Sequence, residues 1–268
     1  MKSLSGVGLA NVQAVYGGPE GDLWRLLMGE QIHIGGFASS GDLAERARIG
    51  GRMEGVDLCC CLGGGMRFLV RFRDVRRMRG VDATEKVVEA GRRRCAEEGL
   101  ADRIEFVLAD VCQSGLASAS ADFVWGEDAW CYVVDKQRLI AEAVRIVKPG
   151  GAIAFTDWVE GPAGMSEAEA ARFLAFMKFP SVQDLQGYRA LLEEHGCRVE
   201  VAEDTGRFPA YVDLYLNMVG MQLRYDALRI IGFDAAMFDA LSGEMMFMRD
   251  LARAGKIAQA IVIARKGS

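Results

Sequence analysis

Three cysteines and three glycines stand together in Cys59-Cys-Cys-Leu-Gly-Gly-Gly65. A short apolar run that breaks into glycines ahead of a helix-compatible segment predicts a strand, a tight turn and a helix. In α/β proteins this unit binds the phosphates or carboxylates of nucleotide-like ligands. Asp82 follows about 20 residues later, where a carboxylate can hold ribose hydroxyls. Cys59 and Cys61 stand where such loops usually have glycine, so we expect the turn to shift onto Gly63–Gly65.

The elements that must position this loop alternate between strand and helix. We predict strands at 56–60, 76–81, 104–108, 121–125 and 152–156, with helices at 65–72, 84–98 and 135–147. This alternation predicts a parallel sheet with right-handed crossovers.

Helical segments are predicted on both sides of this core. They lie near 9–16 and 20–29, at 40–52, 167–179 and 181–195, and as two helices over 210–254 broken near Gly232. Strands at 197–203 and 258–264 predict an antiparallel hairpin. The expected fold class is α/β: a doubly wound, mostly parallel seven-stranded sheet with an antiparallel C-terminal edge strand and helical N-terminal and C-terminal elaborations.

Composition excludes several functional classes. Of the 268 residues, 51% are hydrophobic and 26% are charged, as in ordinary globular proteins. No apolar run reaches the roughly 18 residues of a membrane span, and the N-terminus has no secretory apolar region. We therefore predict a cytoplasmic protein without a membrane partner. The net charge of −5 argues against nucleic acid as a partner. We assign the arginines between 67 and 94 to solvated helix faces, with an RNA-facing patch as the alternative.

The seven cysteines predict free thiols. Their number is odd, three are adjacent, and C-x-x-C does not occur. With only two histidines in the chain, we predict no metal site.

From about Val56 to Trp158 the chain resembles class I S-adenosylmethionine-dependent methyltransferases. The family's glycine pattern falls on Cys59, Cys61 and Gly63, of which only the third is glycine. Asp82 and Asp110-Val111 match the residues that bind the ribose and the adenine. Lys148-Pro-Gly-Gly151 matches the turn before the fifth strand.

This resemblance implies a cofactor and the residues that bind it. The cofactor would be S-adenosyl-L-methionine and the product S-adenosyl-L-homocysteine. The implied cofactor-binding residues are Asp57, Cys59, Cys61, Gly63, Gly64, Asp82, Ala83, Asp110, Val111 and Glu127.

A narrower likeness is to the small-molecule N-methyltransferases, including the sarcosine/dimethylglycine type. It rests on Ile32-His-Ile-Gly-Gly36, Trp125-Gly-Glu-Asp-Ala-Trp130, Phe155-Thr-Asp-Trp158 and Val262-Ile-Ala-Arg-Lys266. It implies a small-molecule acceptor, with an amine first. The family often has histidine two residues after the position of Trp130, and Tyr132 stands there instead, which argues against histidine-based proton transfer at that position.

Two groups of side chains are predicted at the acceptor. The catalytic candidates are His33, Asp128 and Tyr132, and the substrate-binding candidates are Phe37, Trp130, Asp157 and Trp158. Four of them have a structural alternative. Asp128 could instead cap the following helix, His33 could be a satisfied semi-buried histidine, and Trp130 and Tyr132 could pack in the pocket wall or the core.

We predict a single methyltransferase domain over residues 1–268. It divides into N-terminal lid helices (1–50), a cofactor-binding core (51–160), a helical substrate-side elaboration with one strand (161–255) and a closing strand (256–268). The methionine-rich C-terminal helices predict a surface for a homo-oligomer.

The predicted reaction is in-line transfer of a methyl group from S-adenosylmethionine to the acceptor. The alternatives are an oxygen, carbon or sulfur acceptor, or a binding or scaffold protein whose loop is impaired by Cys59 and Cys61. A nicotinamide dehydrogenase is disfavoured because G-x-G-x-x-G does not occur. The absence of G-x-x-x-x-G-K-[ST] excludes a P-loop enzyme.

Overall fold

A computed structural model describes residues 1–267, which form one continuous sheet with helices on both faces. The strands are β1 Lys2–Ser3, β2 Glu54–Leu58, β3 Arg77–Asp82, β4 Ile104–Leu108, β5 Ala121–Glu127, β6 Val147–Glu160, β7 Ser181–Asp184, β8 Cys197–Asp204 and β9 Ile257–Lys266.

Eleven α-helices are described within these residues. They are α1 Leu9–Tyr16, α2 Pro19–Met28, α3 Gly36–Arg46, α4 Gly64–Phe72, α5 Glu85–Glu97, α6 Lys136–Ile146, α7 Glu167–Met177, α8 Leu185–Glu194, α9 Phe208–Gly220, α10 Arg224–Ile230 and α11 Ala235–Arg253. A short 3₁₀ helix spans Trp130–Tyr132.

Seven strands form the main sheet in the order β4-β3-β2-β5-β6-β9-β8. The first five are parallel, and β9 pairs antiparallel with both β6 and β8. The predicted fold class is confirmed, but the C-terminal strand β9 is not the predicted edge strand, because it lies between β6 and β8 and β8 is outermost. Beyond the end of β5, β6 also pairs with β7, which pairs with β1.

The core divides between the two faces of the sheet. On one face, Leu43 of α3 and Met66 of α4 are fully buried against the strands. On the other, Ile140 of α6 and Leu192 of α8 are fully buried. A third cluster, which includes Trp158, joins α2, α7, α9 and α11. The doubly wound core therefore fixes the carboxyl ends of the strands, where α/β proteins place their ligands.

Three helix predictions were wrong in their bounds. Residues 181–184 form β7, because they pair with the end of β6 before Asp184 caps α8. The helix expected at 40–52 is α3, which begins after Gly35 (φ 88°) and ends before Arg48 (φ 58°). Both residues are in the left-handed region, which does not continue a helix. Residues 210–254 form three helices, since the chain breaks at 221–223 as well as near Gly232.

No helix within residues 1–267 is long and apolar enough to cross a membrane. The cytoplasmic location and the domain boundaries at 50, 160 and 255 stay predictions.

Candidate active site

A cavity of about 360 Å³ lies at the carboxyl ends of β2, β3, β4 and β5, beneath α1 and the segment that follows α2. Its volume is in the range of small-molecule sites. Twelve of the residues predicted for the site line it: His33, Asp57, Cys59, Cys61, Gly64, Asp82, Ala83, Asp110, Val111, Glu127, Asp128 and Tyr132.

The loop after β2 makes its turn with cysteine as well as glycine. Cys59 has φ 68° and Cys61 has φ 46°, both in the left-handed region, and Gly63 has φ 76°. The Gly63 amide donates to the Cys60 carbonyl at 2.8 Å, which closes the turn. The expected shift of the turn onto Gly63–Gly65 is therefore wrong, because Gly64 and Gly65 already belong to α4. A side chain in this backbone region costs about 1–2 kcal/mol.

The first two residues of α4 must be glycine for steric reasons. A Cβ at Gly64 would overlap the backbone of Glu30, and one at Gly65 would overlap the Glu127 carboxylate. The segment after α2 thus crosses directly over the N-terminus of α4. A helix N-terminus favours an anionic group, such as a carboxylate, in the cavity.

Asp82 at the end of β3 fixes the loop. Its two carboxylate oxygens accept hydrogen bonds from the amides of Cys61, at 3.0 Å, and Thr84, at 2.9 Å. Burial raises the pKa of Asp82, and these hydrogen bonds oppose that rise. The carboxylate still lines the cavity, as the predicted ribose ligand must.

Asp57 is a buried carboxyl group on the cavity wall. Burial, together with the charges of Glu127 and Asp82, raises its pKa well above the ordinary range. A cation in the cavity would relieve this repulsion. The sulfonium and ammonium groups of S-adenosylmethionine are cations, so this donor set fits them.

Asp110 and Val111 after β4 lie at another part of the cavity wall. Asp110 accepts a hydrogen bond from the Cys112 amide at 2.9 Å, and Val111 is 6% exposed. Burial and the charge of Asp110 raise the pKa of the Cys112 thiol to about 12. The thiol of Cys61 is likewise neutral, since burial raises its pKa to about 12.

Tyr132 contacts Tyr16 of α1 at the cavity wall. Their hydroxyls are 3.0 Å apart, and their rings pack edge to face at 5.4 Å. Burial raises the pKa of both phenols well above the usual value. The pair is therefore a neutral donor and acceptor of hydrogen bonds. Tyr16 was missed at the sequence level because nothing in α1 pairs it with Tyr132.

His33 is buried beside Glu127. Its Nε2 lies 3.2 Å from Glu127 Oε1 and 3.1 Å from the Ser40 hydroxyl. Ser40 donates to the same carboxylate oxygen at 2.6 Å. We call the residues between α2 and α3, 29–35, the lid segment. This segment and the end of β5 are joined by one polar cluster on the cavity wall.

The Asp128 carboxylate is occupied by protein donors. It accepts from the Ile34 amide at 2.8 Å and from the Gln259 side chain at 2.9 and 3.0 Å. Asp128 therefore anchors the lid segment, and it does not cap α6, whose N-cap is Asp135.

The structure does not bring four predicted acceptor residues into the cavity wall. Phe37 packs on Phe68 at the surface and is 55% exposed. Trp130 is buried, where it stacks on Phe155 and donates to the Leu58 carbonyl. Trp130 therefore packs in the core, the structural alternative stated for it, whereas Phe37 lies at the surface.

The other two of these residues do not line the cavity either. Asp157 is buried, accepts from Tyr188 and the Cys131 amide, and has its pKa raised to about 6 by burial. Trp158 packs edge to face on Phe208 in the helical cluster. Gly63 does not line the cavity, and it forms part of the turn before α4.

Comparisons with known proteins agree with this geometry. Residues 56–155 match a family model described as a methyltransferase domain. Dimethylglycine N-methyltransferase from Parasynechococcus marenigrum is 30% identical over 191 residues, 66% of this chain and 67% of that protein. The chain belongs to the class I S-adenosylmethionine-dependent methyltransferases.

Two further relatives of this methyltransferase extend the match along the chain. The 27-O-demethylrifamycin SV methyltransferase of Amycolatopsis mediterranei is 29% identical over 262 residues, 91% of this chain and 93% of its own. The solved phosphoethanolamine N-methyltransferase 2 of Haemonchus contortus, bound to S-adenosyl-L-methionine, shares the fold. Its TM-score is 0.82 at 18% identity, over 97% of this chain and 60% of that one.

The enzyme therefore uses S-adenosylmethionine to methylate small molecules. Its cavity is lined by the carboxylates of Asp57, Asp82 and Glu127 and by the first residues of α4. The alternative of a binding or scaffold protein with an impaired loop is therefore rejected. The side-chain contacts to the cofactor stay predictions.

Proposed function

We propose that this methyltransferase transfers the methyl group to an amine nitrogen of a small molecule. The observation that carries the proposal is the Tyr16–Tyr132 pair, whose hydroxyls are neutral and bonded to each other. Such a pair can orient an acceptor but cannot remove a proton from it. A neutral amine needs no base for the attack, because its lone pair is already free.

The protein's part in the reaction is positioning. S-adenosylmethionine supplies an activated methyl group on a sulfonium, and the nucleophile must approach in line with the carbon–sulfur bond. Asp82 would hold the ribose, while Asp57 and Glu127 would face the cationic end. The tyrosine pair would accept a hydrogen bond from the amine and direct its lone pair. Alignment of this kind can contribute roughly 7–11 kcal/mol to lowering the barrier.

A hydroxyl acceptor is the second candidate. His33 Nε2 lies 3.2 Å from Glu127, and a histidine oriented by a carboxylate can act as a general base. The relative matched over most of the chain is named for a 27-O-demethyl substrate. In this alternative His33 removes the proton of the hydroxyl.

Matched acceptors separate the two candidates. The enzyme is incubated with S-adenosylmethionine and pairs of small molecules that differ only in an amine or a hydroxyl, and methylated product is detected by mass. We expect methylated amines. Tyr132→Phe should lower kcat/KM about tenfold, the effect of one lost hydrogen bond. His33→Gln should have a smaller effect.

The opposite pattern would overturn the proposal. Methylation of the hydroxyl member alone, with turnover lost by a factor of about 10² or more in His33→Gln, would assign the enzyme to oxygen acceptors. Binding of S-adenosylhomocysteine by each variant controls for an intact cofactor site.

A further inference from the structure

Gln259 is a polar side chain in the middle of the apolar strand β9. It lies between Ala258 and Ala260, is fully buried, and does not line the cavity. A buried amide is tolerated only when its polar atoms have partners. The function assigned to the cavity does not explain why an amide occupies this position.

The side chain of Gln259 joins three distant segments. Its amide nitrogen donates to the Ile34 carbonyl at 2.9 Å and to the Asp128 carboxylate at 2.9 and 3.0 Å. Its amide oxygen accepts from the Thr205 hydroxyl at 3.0 Å. Because the Ile34 carbonyl and the Asp128 carboxylate only accept hydrogen bonds, the amide nitrogen must face them, and the amide oxygen then faces the Thr205 hydroxyl.

The two residues that Gln259 holds are direct neighbours of His33 and Glu127, and Asp128 itself also lines the cavity. Ile34 follows His33, and Asp128 follows Glu127. Asp128 has φ 50°, a strained backbone angle that its contacts must maintain. The Ile34 amide completes the arrangement by donating to Asp128 at 2.8 Å. We call Gln259, Asp128 and Ile34 the clamp.

We propose that Gln259 is a positioning residue for methyl transfer. Through the clamp it sets the distance between His33 on the lid segment and Glu127 on β5, which form one polar face of the cavity. This rests on the proposed function insofar as that face contacts the acceptor. Gln259 itself touches neither substrate nor cofactor.

The clamp can be observed without knowing the acceptor, because the chain has only two histidines, His33 and His195. Nitrogen-15 correlation spectra of the imidazole rings in the full chain therefore contain two signal sets, which His195→Gln assigns. We expect Gln259→Leu to shift the His33 signals and to leave those of His195 in place.

The second readout is kcat. It is measured with the acceptor, amine or hydroxyl, that the matched pairs of small molecules show to be methylated. Gln259→Leu should lower kcat about fivefold while the Kd for S-adenosylhomocysteine stays within threefold. Gln183→Leu is the matched control, since Gln183 is also buried in the sheet but lies on β7, outside the cavity wall. It should leave kcat and the His33 signals unchanged.

A third variant distinguishes positioning from general stability. Gln259→Glu keeps the shape of the side chain and places a carboxyl group against Asp128, so the donor returns only when that carboxyl takes up a proton. Its kcat relative to wild type should rise as the pH falls. The pH dependence of kcat in Gln259→Glu also tests the positioning role of Gln259 if Gln259→Leu does not fold.

Three results would overturn the proposal: unchanged His33 signals in folded Gln259→Leu, kcat within twofold of wild type, or an equal loss in Gln183→Leu. A finding that only hydroxyls are methylated contradicts the amine assignment and leaves the histidine readout intact.

Discussion

At the scale of single residues, Cys59 and Cys61 adopt backbone angles that glycine adopts freely. Their φ values of 68° and 46° place a Cβ in the left-handed region at the wall of the cofactor cavity. The small side chain of cysteine makes this possible at a moderate energetic cost, whereas a β-branched side chain would add strain.

We therefore expect opposite outcomes from two substitutions of Cys61. Cys61→Gly relieves strain but gives the unfolded chain more freedom, so the free energy of unfolding should stay within about 1 kcal/mol of wild type. Cys61→Val should lower it by about 2 kcal/mol. Chemical denaturation measures both free energies of unfolding. Equal values for the two variants would contradict the claim that the backbone at Cys61 is strained.

Some residues of the site could be predicted from the sequence and others could not. The cofactor loop and Asp82 were predictable because their spacing is local and follows the strand–turn–helix pattern. Gln259 was not, since its partners Asp128 and Ile34 are 131 and 225 residues away along the chain. Trp130 and Trp158 were assigned to the acceptor because they follow the fourth and fifth predicted strands, but their large apolar rings pack in the core.

At the scale of elements, α1, α2 and the segment after them cover the cavity through polar contacts. Gln13 donates to the Ala83 carbonyl at 2.7 Å. Glu30 pairs with Arg67 at 2.8 Å and with Arg94. Glu30 is 55% exposed and Arg67 only 6%. These contacts can open more easily than the buried clamp, so we expect the cofactor to exchange by displacement of α1 and α2.

Glu30→Gln tests this route. Loss of the ion pairs that hold the lid should raise the dissociation rate of S-adenosylhomocysteine about fivefold, as loss of about 1 kcal/mol implies. Stopped-flow displacement measures that rate. Glu105→Gln, which breaks the exposed Arg77–Glu105 pair on β3 and β4, should leave the rate unchanged. Equal rates in wild type and Glu30→Gln would contradict the route.

The strand β7 shows the limit of prediction for elements. Residues 181–184 continue a helix-compatible pattern, so the sequence favoured one helix over 181–195. Their extended conformation depends on pairing with Val159 and Glu160, which is tertiary and outside any local window.

At the scale of the whole molecule, buried acids make stability depend on pH. Burial raises the pKa of Asp157 to about 6 and that of Asp57 well above its usual value. A raised carboxyl pKa stabilises the fold below the unfolded-state pKa, and this contribution is lost as the pH rises through the folded-state value. In contrast, the paired Glu142, whose pKa is lowered to about 2 by Arg145, loses its contribution only in acid.

The free energy of unfolding should therefore be higher at pH 5 than at pH 7.5. Asp157 alone implies a decrease of roughly 1 kcal/mol over this interval, and Asp57 adds to it. Chemical denaturation at both pH values measures the difference. Asp57→Asn, which removes one of these acids, should reduce it, and a stability that rises throughout this interval would contradict the prediction.

The position of β9 also determines when the active site can form during synthesis. β9 lies between β6 and β8, so β6 lacks this neighbour until residues 161–256 have been made. Until then the nascent chain exposes an unpaired apolar edge, the kind of surface that chaperones cover. Gln259 belongs to this strand, so the step that completes the sheet also forms the hydrogen bonds that join Ile34 to Asp128 at the cavity.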